Sequence, residues 1–289
     1  MADNDSLCGW GNEAKVAYFL ANADIIVPRR AEQINLLMEF LPYSRDAGIS
    51  VLDLGAGFGA ITAQILTHYP RATVTCVDGS AAMIAQATER LRKYGDRVKI
   101  FKADLAERSW SGVLKPTVGL SRSAAPAPTS ASEPKPSGQP AEALAAIEGD
   151  GRGRGEHGSF DAVVSAIAIH HLSHERKREL CREVFDLLTP SGVFLNNDVV
   201  STPPAFKARF ELLNLAAIQE QERAQRGVAR TREQIETGMR EQLRLAGGRH
   251  QSHIAPLSDQ LAWLSEAGFK SVDCYWRYLD LAIFGGVKE

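Results

Sequence analysis

The sequence predicts an α/β fold built on a doubly wound sheet, mostly parallel, with a C-terminal antiparallel hairpin and a helical lid. Two observations support this fold. Short apolar runs alternate with amphipathic helical stretches from about residue 49 onward, and a glycine-rich turn directly follows the first run. The chain has 289 residues and 44% hydrophobic content, which is enough to bury a full core.

The first half of the predicted sheet surrounds the glycine turn Gly55-Ala56-Gly57-Phe58-Gly59. Glycines at alternate positions let the backbone pass close to a ligand, because no Cβ stands in the way. The second strand ends in Asp78 and the third is followed by Asp104, so both carboxylates are expected at the same sheet edge as the turn. The strands are predicted over residues 50–54, 72–78 and 97–102, with a helix over about 60–69.

The second half of the chain continues the alternation of strands and helices. Phe160–Ala166 is predicted as a strand buried on both faces, and Ser173 as the N-cap of the next helix. A turn at Pro190-Ser191-Gly192 precedes a short fifth strand, Val193–Leu195. Further helices are predicted at about 205–225, 230–246 and 257–267, and the closing strands at 270–276 and 279–285.

Segments outside this alternation define the expected domain organisation. Residues 1–48 are predicted as an N-terminal helical lid segment before the main domain, residues 49–289. Within that domain, residues 203–250 are predicted as a helical insertion on the substrate side. Residues 111–158 hold six of the 13 prolines, and a segment of this composition buries too little apolar area to offset its conformational entropy. A disordered insertion is therefore predicted there.

The glycine turn and its surrounding acids resemble those of a known family. The class I S-adenosylmethionine-dependent methyltransferases, which have a Rossmann-like sheet, show a similar pattern to Asp53–Gly59, Asp78, Ala103-Asp104 and Phe160–Ser165. The resemblance implies that the turn holds the methionine part of S-adenosylmethionine, Asp78 the ribose and Asp104 the adenine amine. Asp53 is expected to bind the amino end of the cofactor or the glycine-turn amides. The implied cofactor-binding residues are Asp53, Gly55, Gly57, Gly59, Asp78, Gly79, Ala103, Asp104, Leu105 and Ser165.

Other adenosine-binding families share parts of this pattern. No Lys-Ser or Lys-Thr follows the glycines, which excludes a P-loop, whereas Ala60 would supply the third small residue of an NAD-dependent Rossmann oxidoreductase. A looser resemblance to the carboxy-S-adenosylmethionine synthases of tRNA modification rests on residues 12–19 and 274–284. That family has a Tyr where Arg30 stands and an Asn where Ala166 stands. The likeness therefore supports the architecture more than carboxyl transfer.

Candidate catalytic groups follow the fourth strand, where this family normally meets its acceptor. An imidazole can exchange a proton near neutral pH, so either His170 or His171 is a candidate general base, with His171 slightly favoured. The alternative is that one ring packs beside the sheet while the other caps the next helix. Asp198 is expected either to contact the substrate or to cap a turn. His250 and His253 either point into the acceptor pocket or lie in a surface loop, and no metal site is predicted.

Composition narrows the range of partners. The formal net charge is −2, so no basic footprint for a nucleic-acid backbone is expected. The four cysteines lack disulfide or metal-ligand spacing, and the N-terminus lacks an apolar signal core. No segment is apolar enough over its length to span a bilayer. We therefore expect a cytoplasmic enzyme with a small-molecule acceptor, while the acceptor atom and the oligomeric state stay open.

Overall fold

The structure is a computed structural model that describes residues 9–114, 160–245 and 253–289. Fifteen elements form its framework, seven strands and eight helices in the described part of the chain. The strands are β1 (Ser50–Leu54), β2 (Thr73–Asp78), β3 (Val98–Lys102), β4 (Phe160–Ala166), β5 (Leu188–Val199), β6 (Lys270–Tyr278) and β7 (Leu281–Val287). The helices are α1 (Glu13–Ile26), α2 (Arg30–Glu39), α3 (Ala60–His68), α4 (Ala81–Leu91), α5 (His174–Leu187), α6 (Lys207–Arg226), α7 (Arg232–Leu245) and α8 (Leu257–Ala267).

All seven strands belong to one sheet in the order β3-β2-β1-β4-β5-β7-β6. The first five strands run parallel, and β7 is inserted antiparallel between β5 and β6. The predicted doubly wound sheet with a C-terminal antiparallel hairpin is confirmed. The strand order reverses between β1 and β4, and their carboxyl ends therefore open a crevice of the kind in which such sheets bind ligands.

The core lies on both faces of the sheet, since successive strand residues point to opposite faces. Val51 and Leu52 are adjacent in β1 and both fully buried, and they belong to the two different core clusters. The first cluster includes Leu37, Ile65 and Leu91 of α2, α3 and α4, and the second includes Leu180, Val184 and Leu264 of α5 and α8.

The N-terminal helix and the two helices after β5 pack on one another. Ile25 of α1, Ile218 of α6 and Ile235 of α7 form a separate buried cluster, and α1 also contacts α4. The predicted helical segment 203–250 contains α6 and α7, and its last residues, 246–250, lie outside the described residues. These three helices form a small helical layer of their own.

The fifth strand is longer than predicted. The predicted turn 190–192 lies inside β5 as an irregularity, because the register against β4 shifts between Leu188 and Val193. Ser191 there has a φ of 65°. At the other end, Asn196, Asn197 and Asp198 extend the strand although they are polar, and all three are buried. Polar residues in a buried strand hide its length from a hydrophobicity pattern.

The first residues of the predicted disordered insertion, 111–114, are instead part of an ordered element. A short 3₁₀ helix covers Trp110–Leu114, and Trp110 is 2% exposed. The indole Nε1 of Trp110 donates to Glu183 Oε2 at 2.5 Å, so residues 111–114 are ordered by this anchor. Residues 115–158 of the predicted disordered insertion lie outside the described residues. Within the described ranges, no helix combines the length and apolar character needed to cross a membrane.

Candidate cofactor and acceptor site

The glycine turn connects β1 to α3 at the crevice. Gly55 has a φ of 66°, and a Cβ at this position would overlap the Cβ of Ala168, so any larger residue is excluded. Gly57 has a φ of 54°, and its Cβ would meet only the carbonyl oxygen of Gly55, at 4.0 Å. The first glycine therefore allows tight packing between two loops, while the second leaves open space in which a ligand can approach the backbone.

Asp78 at the end of β2 is oriented by backbone donors on both of its oxygens. The amide of Gly57 donates to Oδ2 at 2.8 Å and the amide of Ser80 donates to Oδ1 at 2.8 Å. Burial raises the pKa of Asp78, and these two amide bonds oppose that rise. Each carboxylate oxygen has a second lone pair, so the group can still accept hydrogen bonds from a vicinal diol.

Asp53 lies deeper in the crevice and is 1% exposed. Burial raises its pKa to about 7, and the hydroxyl of Thr62, which donates to Oδ2 at 2.6 Å, opposes the rise. The alternative that Asp53 binds the glycine-turn amides is wrong, because Gly57 N donates to Asp78 and Gly55 N to the carbonyl of Val77. A buried carboxyl with a pKa near 7 is suited to face a cation, which would favour its charged form.

These groups line one cleft, which we call the main cleft, of about 1110 Å³ including its open mouth. Its expected members are Asp53, Gly55, Gly57, Asp78, Gly79, Asp104 and Leu105. The other three expected residues are not on its surface. Gly59 packs on Leu91, Ala103 donates its amide to the carbonyl of Asp78, and Ser165 is fully buried with its hydroxyl donated to the carbonyl of Leu54 at 2.8 Å. Ser165 thus ties β4 to β1.

Sequence reasoning did not assign a binding role to several residues of the main cleft. Arg30, Gln33 and Asn197 all line it. The guanidinium of Arg30 is bound to Asp24 at 2.5 Å. The side-chain amide of Gln33 donates to the carbonyl of Pro28 at 2.5 Å, while its Oε1 and the Oδ1 of Asn197 are buried without a hydrogen-bond partner. The sequence drew attention to Arg30 only as the position at which the carboxy-S-adenosylmethionine synthases have a Tyr.

A second cavity, the side chamber, adjoins the main cleft. The two share Trp10, Phe19, Val27, Ile167 and His171, which form a common wall. The remaining lining of the side chamber is mostly apolar and comes from α1, α6, α7 and the β6–β7 turn. These residues are Lys15, Tyr18, Ile26, Pro28, His170, Val199, Asn214, Ile218, Arg230, Ile235, Met239, Asp280 and Leu281.

His170 stands on the wall of the side chamber and is held by Asp198. Nδ1 of His170 lies 2.6 Å from Asp198 Oδ1, and its main-chain amide donates to Oδ2 at 2.8 Å. Asp198 is fully buried and accepts a third bond, from the amide of Val199. Asp198 therefore neither caps a turn nor lines the surface of the side chamber. The carboxylate fixes the proton on Nδ1 and leaves Nε2 of the imidazole as the acceptor.

His171 differs from its neighbour because its Nε2 is engaged. The indole N–H of Trp10 donates to this nitrogen at 3.1 Å, and the ring lies between the main cleft and the side chamber. Neither histidine caps α5, since the hydroxyl of Ser173 accepts the amide of Arg176 at 3.2 Å. The expected helix-capping role of one histidine is thus wrong, whereas the predicted N-cap at Ser173 is confirmed.

The histidine pair is supported from behind by a buried lysine. Lys177 donates to the carbonyl of His170 at 3.4 Å and to the carbonyl of His253. Desolvation lowers the pKa of Lys177 to about 8, and the charge of Asp198 opposes the fall. His253 itself is exposed and does not line either cavity, so it matches the alternative of a surface loop. His250 lies outside the described residues. The described residues contain no cluster of three or more metal-ligating side chains.

Comparisons with known proteins agree with this geometry. Two methyltransferase domain families match the sequence, one over residues 51–112 and the other over residues 124–196. The first match contains the glycine turn, Asp78 and Asp104, and the second contains β4 and the histidine pair. Both matches are to methyltransferases, which favours that class over the NAD-dependent alternative.

Individual relatives and structures are similar over part of their length. The release factor glutamine methyltransferase of Bordetella pertussis is 31% identical over 97 residues, which are 34% of this chain and 36% of that protein. The chain thus spans about a third of that relative's length. An O-methyltransferase family protein from Burkholderia thailandensis has a TM-score of 0.54 at 15% identity, covering 90% of this chain and 56% of that one.

A further structural neighbour is phosphoethanolamine N-methyltransferase 2 of Haemonchus contortus in complex with S-adenosyl-L-methionine. Its TM-score is 0.51 at 17% identity, and the likeness covers 91% of this chain and 42% of that one. At such low identity these neighbours establish the fold alone. The two domain matches, together with the geometry of the site, support an S-adenosylmethionine-dependent methyltransferase domain with S-adenosylmethionine as its cofactor.

Proposed function

We propose that the protein transfers a methyl group from S-adenosylmethionine to a small-molecule acceptor that is bound in the side chamber. The observation that carries this proposal is the wall that the two cavities share, which includes Ile167 and His171. A molecule in the side chamber therefore lies beside the main cleft, in a cavity lined by residues of α1, α6 and α7. A concave, mostly apolar site suits a small molecule better than a nucleic-acid duplex or a folded protein.

The residues of the main cleft fit the cofactor. The open face of Gly57 admits a ligand next to the backbone, and Asp78 carries lone pairs for the ribose hydroxyls. Asp104 and Leu105 line the adenine end, and Asp53 faces the ammonium group of the methionine part. Arg30 is placed to bind a carboxylate.

Among the histidines, the geometry favours His170 as the general base. S-adenosylmethionine supplies, when bound, a methyl carbon on a sulfonium sulfur that leaves as a thioether. As the acceptor lone pair bonds to this carbon, Nε2 of His170 takes the acceptor proton, and Asp198 stabilises the resulting imidazolium through Nδ1. His171, with Nε2 held by Trp10, positions the wall between the cavities. The helices α1, α6 and α7 act as a lid that excludes water.

The proposal is tested by following labelled methyl groups. The purified protein and methyl-labelled S-adenosylmethionine are incubated separately with the small-molecule filtrate and with the macromolecular fraction of a cell extract. We expect label in a small molecule from the filtrate and none above background in protein or RNA. Label that appears only in the macromolecular fraction would refute the small-molecule acceptor. Binding of S-adenosylhomocysteine, measured by calorimetry, is the control for an intact main cleft.

A further inference from the structure

The side chamber is apolar over most of its wall but carries charged groups at separate places. Arg230 lies between α6 and α7, Lys15 on α1, and Asp280 in the turn between β6 and β7. Asn214 on α6 donates to Asp280 Oδ1 at 3.0 Å, so this carboxylate already has a local partner. The charge of Lys15 lies 4.2 Å from the centre of the Trp10 ring. The chamber therefore has a cationic wall on the helical side and an acidic group at the strand turn.

Arg230 is held by the buried carboxylate of Glu222, which it shares with Arg226. Its Nε donates to Glu222 Oε1 at 2.8 Å and its main-chain amide donates to Oε2 at 2.8 Å. Arg226 also donates to Oε1, at 3.3 Å, so two guanidinium groups share the one charge of Glu222. Glu222 is 3% exposed. The pair is therefore rigid, and one positive charge is left over beside the chamber.

The outer end of the Arg230 guanidinium is incompletely bonded. Nη1 lies 3.4 Å from the hydroxyl oxygen of Tyr18, a long contact, and Nη2 is buried with no hydrogen-bond partner among the described residues. A buried donor without a partner is unfavourable, because it has lost its hydrogen bonds to water. Gly238 of α7 keeps this corner open. A Cβ at that position would occupy the space 3.6 Å from both Nη1 and the Tyr18 hydroxyl.

We propose that the side chamber binds an apolar small molecule that carries a carboxylate, and that Arg230 and Tyr18 bind the carboxylate. This inference rests on the proposed function and specifies its acceptor class. A planar guanidinium matches the two oxygens of a carboxylate better than any neutral group does. The apolar body then packs against the chamber wall, for which Ile218, Ile235 and Met239 supply the surface. Asp280 keeps the carboxylate from binding in the opposite orientation.

The test compares carboxylates with their neutral amides. Benzoate, 3-phenylpropanoate and octanoate, and the three matching primary amides, are titrated calorimetrically into the protein saturated with S-adenosylhomocysteine. We expect at least one carboxylate to bind about 10- to 100-fold more tightly than its amide, as for other hydrogen bonds to charged groups. Arg230→Gln should abolish this preference and leave the affinity of the amide unchanged. Tyr18→Phe should reduce the preference by a smaller factor.

Arg232→Gln is the matched control, because Arg232 is only two residues away at the start of α7, is exposed and pairs only with Glu236 among the described residues. It should keep the carboxylate preference. Arg230→Gln leaves Glu222 with Arg226 alone, so two further variants guard against misfolding: Arg230→Lys, which keeps a cation, and the double substitution Arg230→Gln with Glu222→Gln. The double variant should lose the preference while binding S-adenosylhomocysteine normally.

The possible results separate this inference from the proposed function. No preference for any carboxylate in the unchanged protein, or a preference that survives in Arg230→Gln and in the double variant, overturns the inference. An equal loss in Arg232→Gln would also overturn it, because it would indicate a general charge effect. If S-adenosylhomocysteine does not bind, the proposed function fails, whereas the carboxylate preference can still be measured in the protein alone.

Discussion

Asp198 binds His170 at two points, through Nδ1 at 2.6 Å and through the main-chain amide at 2.8 Å. The carboxylate is at the end of β5 and the histidine is in the loop after β4, so the contact joins two adjacent strands of the sheet at the crevice. Both the orientation and the tautomer of the imidazole are set by this one carboxylate. His171, one residue later, has no such partner in Asp198 and is bound by Trp10 instead.

The contact between Asp198 and His170 predicts unequal effects of the two histidines on turnover. His170→Gln should lower turnover by about 10²- to 10⁴-fold if the acceptor is protonated at neutral pH, because the general base is lost. Asp198→Asn should also lower turnover, since the amide cannot stabilise an imidazolium. His171→Gln is the matched control and should have a much smaller effect. Steady-state rates and calorimetric affinity for S-adenosylhomocysteine are measured for each, and equal losses for both histidines would contradict the assignment.

Asp78 should contribute more to cofactor affinity than any exposed acid. Asp78→Asn removes the charge from a group that faces the ribose, so S-adenosylhomocysteine should bind about 10- to 100-fold more weakly, the loss expected for hydrogen bonds to a charged group. Asp96→Asn, an exposed acid just before β3, should bind like the unchanged protein. An unchanged affinity in Asp78→Asn would remove Asp78 from the cofactor site.

The raised pKa of Asp53 predicts a pH dependence of stability. Between about pH 4 and about pH 7 the folded protein keeps a proton that the unfolded chain has lost, so the free energy of unfolding should fall as the pH rises through this range. Above about pH 7 this contribution becomes constant. Asp53→Asn should make the fall shallower and should be the more stable protein at about pH 8. Urea unfolding at several pH values measures both, and a steeper fall in the variant would contradict the prediction.

Asp53 also predicts proton release on cofactor binding. A ligand cation beside this carboxyl favours its ionised form, so binding near pH 7 should release part of a proton to the buffer. Calorimetric titration in two buffers of different ionisation enthalpy measures that release. It should be smaller in Asp53→Asn, and an unchanged release would assign the proton to another group.

Gly55 should tolerate substitution less well than another glycine of positive φ. Gly55→Ala places a Cβ onto that of Ala168, whereas Gly227→Ala has the same backbone strain, with a φ of 76°, and open space around it. We expect Gly55→Ala to cost about 1 to 3 kcal/mol more than Gly227→Ala because of overpacking. Urea unfolding compares the two variants, and equal losses would show that the loop after β4 moves aside.

The main cleft was largely predictable because its residues adjoin strand ends in the sequence. The glycine turn, Asp78 and Asp104 each follow a strand whose apolar pattern is readable, and parallel strands bring their carboxyl ends to one edge. Gly59, Ala103 and Ser165 belong to the same pattern but do not line the main cleft, because a motif records the residue type and not which way the residue faces. The side chain of Ser165 points into the protein interior, and its hydroxyl donates to the carbonyl of Leu54.

The side chamber was not predictable in the same way. Tyr18, Asn214, Arg230 and Asp280 come from four segments far apart in the chain, and only the packing of α1 on α6 and α7 brings them together. The role of Asp198 was also hidden, because its partner His170 is 28 residues away. A contact between loops of neighbouring strands leaves no periodic signal in the sequence.

Trp10 lines both the main cleft and the side chamber, and three contacts hold it in this position. Its carbonyl accepts the hydroxyl of Ser80 at 2.7 Å, its indole donates to His171, and its ring meets the edge of Phe19. A ligand in one cavity that orders Trp10 leaves this residue already ordered for a ligand that binds in the other cavity. The two binding equilibria are therefore linked through a common neighbour, and each ligand must change the affinity of the other by the same factor.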